Sequence, residues 1–192
     1  MTMTSSLIRT AFIVSVLAGI SSCTGETPAK VDTSPLTTAY APPFICDYVP
    51  KAAVEQITGV RDPLVTGSLN PPTKDNPAIG ACSVFQNSGE RSSILRIMLD
   101  TNGSRGQIEE QLRDGSKPLP AIVPGGAGYY VRDPNSKTRV GSVLVRGDVR
   151  LGIELVIGAE GRDNEADVVA LMKLIAPKLM GTMTSDAPEA KD

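Results

Sequence analysis

Residues 138–157 read TRVGSVLVRGDVRLGIELVI, and no other part of the chain shows a clearer strand pattern. In the second half every other residue is apolar, the set being Val149, Leu151, Ile153, Leu155 and Ile157. Arg146 and Gly147 separate that half from another strand-like run, a spacing typical of a β-hairpin. Because alternate side chains of a strand point to opposite faces, the pattern predicts an antiparallel sheet with one covered face.

Shorter patterns on either side extend this sheet. Apolar-rich runs predict strands over 82–87, 93–99 and 128–133, in addition to 138–145 and 148–157. Helices are predicted over 50–58, from Ser104 to Gly115, and from Asp163 to a kink or end near Ala176, before Pro177. Residues 60–80 hold Gly, Asn and four Pro and are interpreted as a loop. The predicted fold is α+β, a mostly antiparallel sheet of about five strands with helices packed on one face, in the order α-β-β-α-β-β-β-α.

Composition excludes several classes of function. The chain has 192 residues with 19 Lys plus Arg, 21 Asp plus Glu and no His. A net charge of −2 offers no electrostatic footprint for nucleic acid. The absence of His excludes Ser-His and Cys-His catalysis and histidine metal sites, and no Ser is followed by Lys three positions later. We therefore expect no catalytic residue, no metal and no cofactor.

The first residues predict export and lipidation. Arg9 precedes an apolar run of ten residues, Ala11 to Ile20, whereas a span of the bilayer needs about 20. The sequence Ile20-Ser21-Ser22-Cys23 resembles a bacterial lipobox, which implies a signal peptide over 1–22, a diacylglycerol thioether on Cys23 and a further acyl chain such as palmitate. Two or three chains hold a protein stably at a membrane, so we expect the outer face of the cytoplasmic membrane. An ordinary secretory peptide with an incidental Cys is the alternative.

The remaining chain divides by composition. Residues 23–43 contain the candidate lipidated Cys and a stretch rich in Pro, Thr and Ala, which predicts an extended stalk. Residues 44–180 carry the periodic patterns and predict one globular domain, and 181–192 predict a polar tail. Cys46 and Cys82 both fall in the domain, and export to an oxidising compartment favours a disulfide between them over two buried thiols.

Several motifs have a functional and a structural interpretation. Gly125–Gly128 could cradle phosphate but lacks the Lys of such loops and precedes a strand. Asp100–Gly103 is similar to part of a calcium loop, and Arg146–Asp148 matches an adhesion tripeptide; both are better explained as turns. Four acidic residues near the last helix could bind metal or act as acid and base, but caps and dipole partners are the favoured interpretation: Glu160, Asp163, Glu165 and Asp167.

Two candidate binding surfaces follow from the predicted sheet. Phe85, Met98, Tyr129 and Tyr130 could line an apolar pocket between the sheet and a helix, although core packing is the simpler interpretation. Arg150 and Glu154 lie on the polar side of the last strand and form a candidate partner surface.

The order of the motifs resembles a known family. Cys46 precedes a short helix that ends at Gly59, Cys82 opens the strand Cys-Ser-Val-Phe, and a glycine-rich run over 125–130 leads into another strand. A Gly147-Asp148 turn and a final Ala- and Leu-bearing helix complete the pattern. In this order, behind a lipobox, they resemble actinobacterial lipoproteins that carry the domain of unknown function 3558. The resemblance implies a lipid on Cys23, a Cys46–Cys82 pair and an actinobacterial source, and it implies no chemistry.

These observations favour a non-enzymatic, lipid-anchored binding domain at the cell envelope. Its partner would be an envelope protein or a small apolar or lipid ligand. Two alternatives remain: an enzyme acting on cell-wall material through carboxylates such as Glu154 or Glu160, which would need two of them about 5–9.5 Å apart in a cleft, and a structural spacer.

Overall fold

The computed structural model describes residues 33–36 and 40–181. In this part of the chain the helices are α1 (Lys51–Thr58), α2 (Arg105–Arg113) and α3 (Asn164–Met180). The strands are β1 (Phe44–Ile45), β2 (Val49–Pro50), β3 (Leu64–Asn70), β4 (Ile79–Phe85), β5 (Ser93–Asp100), β6 (Lys117–Pro118), β7 (Ala127–Arg132), β8 (Val140–Arg146) and β9 (Val149–Leu155). β1 pairs with β2, and the others form one antiparallel sheet of seven strands in the order β3-β4-β5-β9-β8-β7-β6.

The core lies on one face of this sheet. In β9 the apolar residues Val149, Leu151, Ile153 and Leu155 are buried and alternate with partly exposed ones, as the sequence pattern predicts. α3 packs against β7, β8 and β9, and the apolar stripe of α1 belongs to the same buried cluster. We call the opposite face of the sheet, away from α1 and α3, the open face.

The predicted layout of helices on a single face holds for α1 and α3, whereas α2 is placed differently. Ser104 caps α2 by accepting a hydrogen bond from the Gln107 amide, as predicted. Gly103, just before the cap, lies against Val145, which alternation in β8 places on the open face. The segment that leads into α2 therefore covers one end of the open face.

The sheet is larger than predicted because an edge strand was interpreted as a loop. Residues 64–70 form β3, in which Leu69 alone is buried. An edge strand with one buried residue shows no apolar alternation, so its sequence resembles that of a loop. Gly67 has a φ of +95°, and a Cβ there would collide with the carbonyl oxygen of Ala81, so the glycine is required by the pairing itself. The two-residue strand β6 was also missed.

α3 is longer than predicted. Of the predicted kink or end near Ala176, the end is wrong, because the helix continues through Pro177 to Met180. Proline removes one backbone hydrogen bond, but Leu179 and Met180 after it are buried in the core, and their packing stabilises the last turn.

The described residues before β1 contact the domain. Leu36 is buried in the main core, and the Ser34 carbonyl accepts hydrogen bonds from Gln56 and Arg162. Part of the segment predicted as a stalk is thus packed against the helices. The predicted signal peptide, Cys23 and the tail beyond residue 181 lie outside the described residues. Among the residues that are described, none of the helices has the length and apolar composition needed to span a bilayer.

The two cysteines of the domain are joined. Their sulfur atoms lie 2.10 Å apart, at disulfide bonding distance, and connect the segment before α1 to β4. Both residues belong to the buried cluster on the helix side of the sheet.

Candidate binding site

The open face carries exposed apolar side chains. Ile79, Met98 and Val131 project from it with 60%, 53% and 40% of their surface exposed. Soluble proteins seldom leave several large apolar residues exposed on one surface without a binding function. These side chains make the open face a candidate binding surface.

A hollow lies in the middle of the open face, over the four strands β5, β9, β8 and β7. Its volume is about 410 Å³ and its lining is mostly apolar. We call it the groove: Gly141, Val143 and Gly152 form its floor, and Met98, Tyr129 and Val131 form its walls.

The strand register explains why a hollow forms here. Met98, Gly152, Val143 and Tyr129 are direct partners in one row across the four strands. In the next row Arg96, Glu154, Gly141 and Val131 are partners. The two rows place the glycines diagonally beside each other, between taller side chains on β5 and β7.

Nothing in the backbone requires glycine at these two positions. A Cβ added to Gly141 or Gly152 would meet no atom within 4 Å, and neither residue has a positive φ. Elsewhere in the sheet, Gly80 and Gly128 are different, because a Cβ at either would collide with neighbouring backbone. Glycine within a strand often marks a place where a ligand approaches the backbone closely.

One end of the groove is charged. Arg139 lies between two carboxylates, 3.6 Å from Asp133 and 3.6 Å from Glu154. Arg96 lies 3.5 Å from Glu154 and donates a hydrogen bond to Ser93. We call Arg96 and Arg139 the arginine rim.

A second ion pair lies on the open face beyond the groove. Arg150 donates two hydrogen bonds to one oxygen of Asp100, at 2.7 and 3.2 Å. Partial burial raises the pKa of the Asp100 carboxyl, but the hydrogen bonds from Arg150 and the Asn102 amide outweigh it and leave that pKa below its ordinary value. Burial raises the pKa of Tyr129, which Arg150 partly offsets. Asp100 and Tyr129 are thus an anion and a neutral phenol at neutral pH.

The structure divides the predicted pocket residues. Met98 and Tyr129 both line the groove, whereas Tyr130 points to the helix side and lies beside Pro118 and Ala166. Phe85 ends β4 and does not line the groove. Buried side chains of β9 and α3 fill the space between sheet and helix, where the pocket was expected, so the hollow is on the other face.

The predicted partner surface and the predicted pocket meet on this face. Glu154 lines the groove together with Met98 and Tyr129. Arg150 lies on the same face but outside the groove, in its pair with Asp100.

Three of the four acidic residues predicted near the last helix have structural partners. Asp163 caps the helix by accepting from the Glu165 and Ala166 amides. Glu165 accepts hydrogen bonds from Lys117 and Arg132, and the first of these is the main reason why its pKa lies below the ordinary value. Asp167 pairs with Arg162. Within the described residues no three His, Cys, Asp or Glu side chains are close enough to hold a metal ion.

The other motifs lie in turns. Gly125 and Gly126 precede β7, and the Gly125 carbonyl accepts a hydrogen bond from Arg105. Gly147 and Asp148 form the tight turn between β8 and β9. The Asp100 carboxylate accepts from the Asn102 amide in the turn toward α2.

Sequence reasoning did not single out Arg96, Arg139, Gly141 or Gly152. One local signal was present, because glycine at the outward position of two adjacent strands of a hairpin leaves a gap between them. The arginine rim had no local signal, since its members are joined only by strand pairing.

Comparison of the chain with models of protein families and with curated proteins found no match. The resemblance described above therefore stays an expectation, and the function has to be inferred from the groove.

Proposed function

We propose that this chain is a non-enzymatic extracytoplasmic binding domain, anchored through a lipid on Cys23 to the outer face of the cytoplasmic membrane, and that a small apolar ligand occupies the groove. The observation that carries the proposal is the pair of glycines at its floor. A glycine within a strand lowers stability by about 0.5–1 kcal/mol relative to alanine. Gly141 and Gly152 therefore lower stability although the backbone does not require glycine at either position. Together they leave the space that forms the groove.

The size of the groove favours a small ligand over a protein partner. Its volume of about 410 Å³ is in the range of 300–1,000 Å³ typical of small-molecule sites. Three strand spacings separate β5 from β7, which makes the groove about 14 Å wide. A stable protein interface covers roughly 800 Å² of each partner, several times the area of such a groove.

The charged groups of the groove favour binding over catalysis. A carboxylate-dependent glycoside hydrolase holds the bond to be cleaved between its two carboxyl groups. Asp133 and Glu154 are the carboxylates nearest the groove, and Arg139 lies between them. An arrangement of this kind does not suit a carboxylate-dependent hydrolase.

A substitution that fills the groove tests the proposal that a ligand binds there. A chain that begins at Thr24 and so lacks the candidate lipidated cysteine suffices, because the described core extends from Leu36 to Met180. We expect Gly152→Val to weaken binding of the neutral dye phenylnaphthylamine at least about tenfold, or ~1.4 kcal/mol, because the valine occupies the dye's place. The measurement is a fluorescence titration, with thermal unfolding showing that stability is unchanged or higher.

The matched control is Ser68→Val, which places the same valine side chain at an exposed position of β3 on the open face, outside the groove. We expect it to bind the dye like the wild type. Equal dye affinity in Gly152→Val and the wild type would contradict the proposal.

The anchor is tested separately. Cys23→Ala in the full chain is expected to abolish incorporation of labelled palmitate and to release the protein from the membrane fraction, because no thiol remains to carry the lipid. Ser22→Ala keeps a small residue before the cysteine and should still be labelled. Retention of the Cys23→Ala protein in the membrane fraction would show that another feature holds it there.

A further inference from the structure

We propose that the ligand of the groove is an anionic amphiphile, whose apolar body lies over Gly152 and Gly141 and whose acidic group binds the arginine rim. This inference rests on the proposed function. It adds the chemical class of the ligand and the orientation of the ligand in the groove.

The arginine rim has N–H donors that its present contacts do not use. Arg96 and Arg139 approach Glu154 at 3.5 and 3.6 Å, longer than the 2.7–3.2 Å of a normal N–H···O hydrogen bond. Their side chains are about half exposed, at 54% and 45%. A guanidinium has five N–H donors, and these loose contacts leave donors for an incoming anion.

Both positive and negative side chains surround the groove. Three arginines line it, Arg96, Arg132 and Arg139, against the two carboxylates of Asp133 and Glu154. Arg132 is already engaged, because it donates to Glu165 and to the Lys137 carbonyl, both at 3.0 Å. Without Arg132, the two arginines of the rim balance the two carboxylates, so the rim attracts an anion through its unused N–H donors and not through a surplus of charge.

The groove is charged at one end and apolar at the other. The rim lies in the row of Glu154 and Gly141 and beyond it, whereas the neighbouring row holds Met98, Gly152, Val143 and Tyr129 and no charged residue. The Asp100–Arg150 pair lies beyond this apolar row, outside the groove. Its two side chains are already joined by hydrogen bonds of 2.7 and 3.2 Å. A ligand with one apolar part and one acidic group can satisfy both rows only in one orientation.

The chemistry of the head group follows from guanidinium geometry. Planar guanidinium groups bind carboxylate, sulfonate and phosphate oxygens through paired N–H donors. An apolar molecule with such an oxyanion therefore fits, whether it is free in solution or shed from a lipid. A neutral amphiphile would leave the rim without a new partner.

The experiment compares two dyes that share one ring system: neutral phenylnaphthylamine and anionic anilinonaphthalene sulfonate. In the chain that begins at Thr24, Arg139→Gln should weaken binding of the sulfonate about tenfold, the loss expected for a hydrogen bond to a charged group. Binding of the neutral dye should change less than about twofold, since its contacts are apolar. Glu154→Gln should strengthen sulfonate binding about threefold, because it removes a competing carboxylate.

Arg113→Gln is the matched control. It makes the same change of charge at an exposed position of α2 for which no ion pair is seen among the described residues. We expect both dyes to bind this variant like the wild type. An equal effect of Arg113→Gln and Arg139→Gln on the sulfonate would show a response to net charge alone and would overturn the head-group assignment.

The other outcomes separate the two proposals. If Gly152→Val weakens both dyes and Arg139→Gln weakens neither, the groove binds apolar ligands and the acidic head group is wrong. If Gly152→Val changes neither dye, the proposed function itself fails. Vesicles of phosphatidylglycerol provide the last comparison. If the protein binds the vesicles but neither dye, and Gly152→Val does not reduce vesicle binding, the open face binds a membrane surface. That result would also overturn the proposal.

Discussion

Replacing Cys46 and Cys82 together by alanine is expected to lower the free energy of unfolding by about 4 kcal/mol. The two residues are 36 positions apart, so their bond removes much of the conformational freedom of the unfolded chain between them. Alanine is the appropriate replacement because both positions are buried, and serine would add a hydroxyl to an apolar environment.

Urea unfolding followed by circular dichroism, without reductant, measures the difference. The wild type should lose a similar amount of stability when reductant is added, whereas the double variant should not respond. A double variant within about 1 kcal/mol of the oxidised wild type would show that the bond contributes far less than chain entropy predicts.

Asp167→Asn is expected to lower the free energy of unfolding by about 3 kcal/mol. The side chains of Arg162 and Asp167 are only 3% and 5% exposed, and the Arg162 Nε donates to Asp167 at 2.7 Å. Removing the carboxylate charge leaves a buried guanidinium without its counter-ion, which is far less favourable than the loss of an exposed pair. The effect lies at the low end of the usual range because Arg162 also donates to the Ser34 carbonyl.

Removing both charges of the pair distinguishes this cause from simple loss of packing. In Arg162→Leu/Asp167→Leu both charges are absent, so we expect the double variant to be more stable than Asp167→Asn. Chemical unfolding of all three chains at pH 7 gives the comparison. If the double variant is less stable than Asp167→Asn, the pair makes a net favourable contribution to folding and does more than neutralise two buried charges.

The groove and the disulfide differ in how they affect the protein. The disulfide and the Arg162–Asp167 pair stabilise the helix layer, where the core lies. The groove is on the other face, and a Cβ added to either of its two glycines meets no atom within 4 Å. Binding and stability are therefore separable by mutation, which is what makes the dye experiments interpretable.

The elements with periodic apolar residues could be predicted from the sequence. β9, β8 and β5 alternate because their inner residues face a helix layer, and α1 and α2 begin within one residue of the predicted positions. The α+β class followed from these elements. Periodicity is a local property of the chain, so it can be read without knowing the partners of a strand.

Two features were misjudged because packing outweighed a local rule. β3 looks like a loop because it is an edge strand that buries only Leu69, and its pairing with β4 is decided by backbone hydrogen bonds. α3 continues beyond Pro177 because Leu179 and Met180 reach the core. In both cases the deciding interaction is with residues distant in sequence.

By itself, then, the sequence determined the class of fold, the positions of its main strands and helices, and the pairing of Cys46 with Cys82, since each depends on local periodicity or on a small number of cysteines. The tertiary structure alone decided where the binding site lies. Gly141 and Gly152 become neighbours only through the β8–β9 register, and Arg96 meets Glu154 only because β5 pairs with β9. A groove on a sheet is formed by several strands side by side, and the sequence of one strand does not determine which strands lie beside it or in which register.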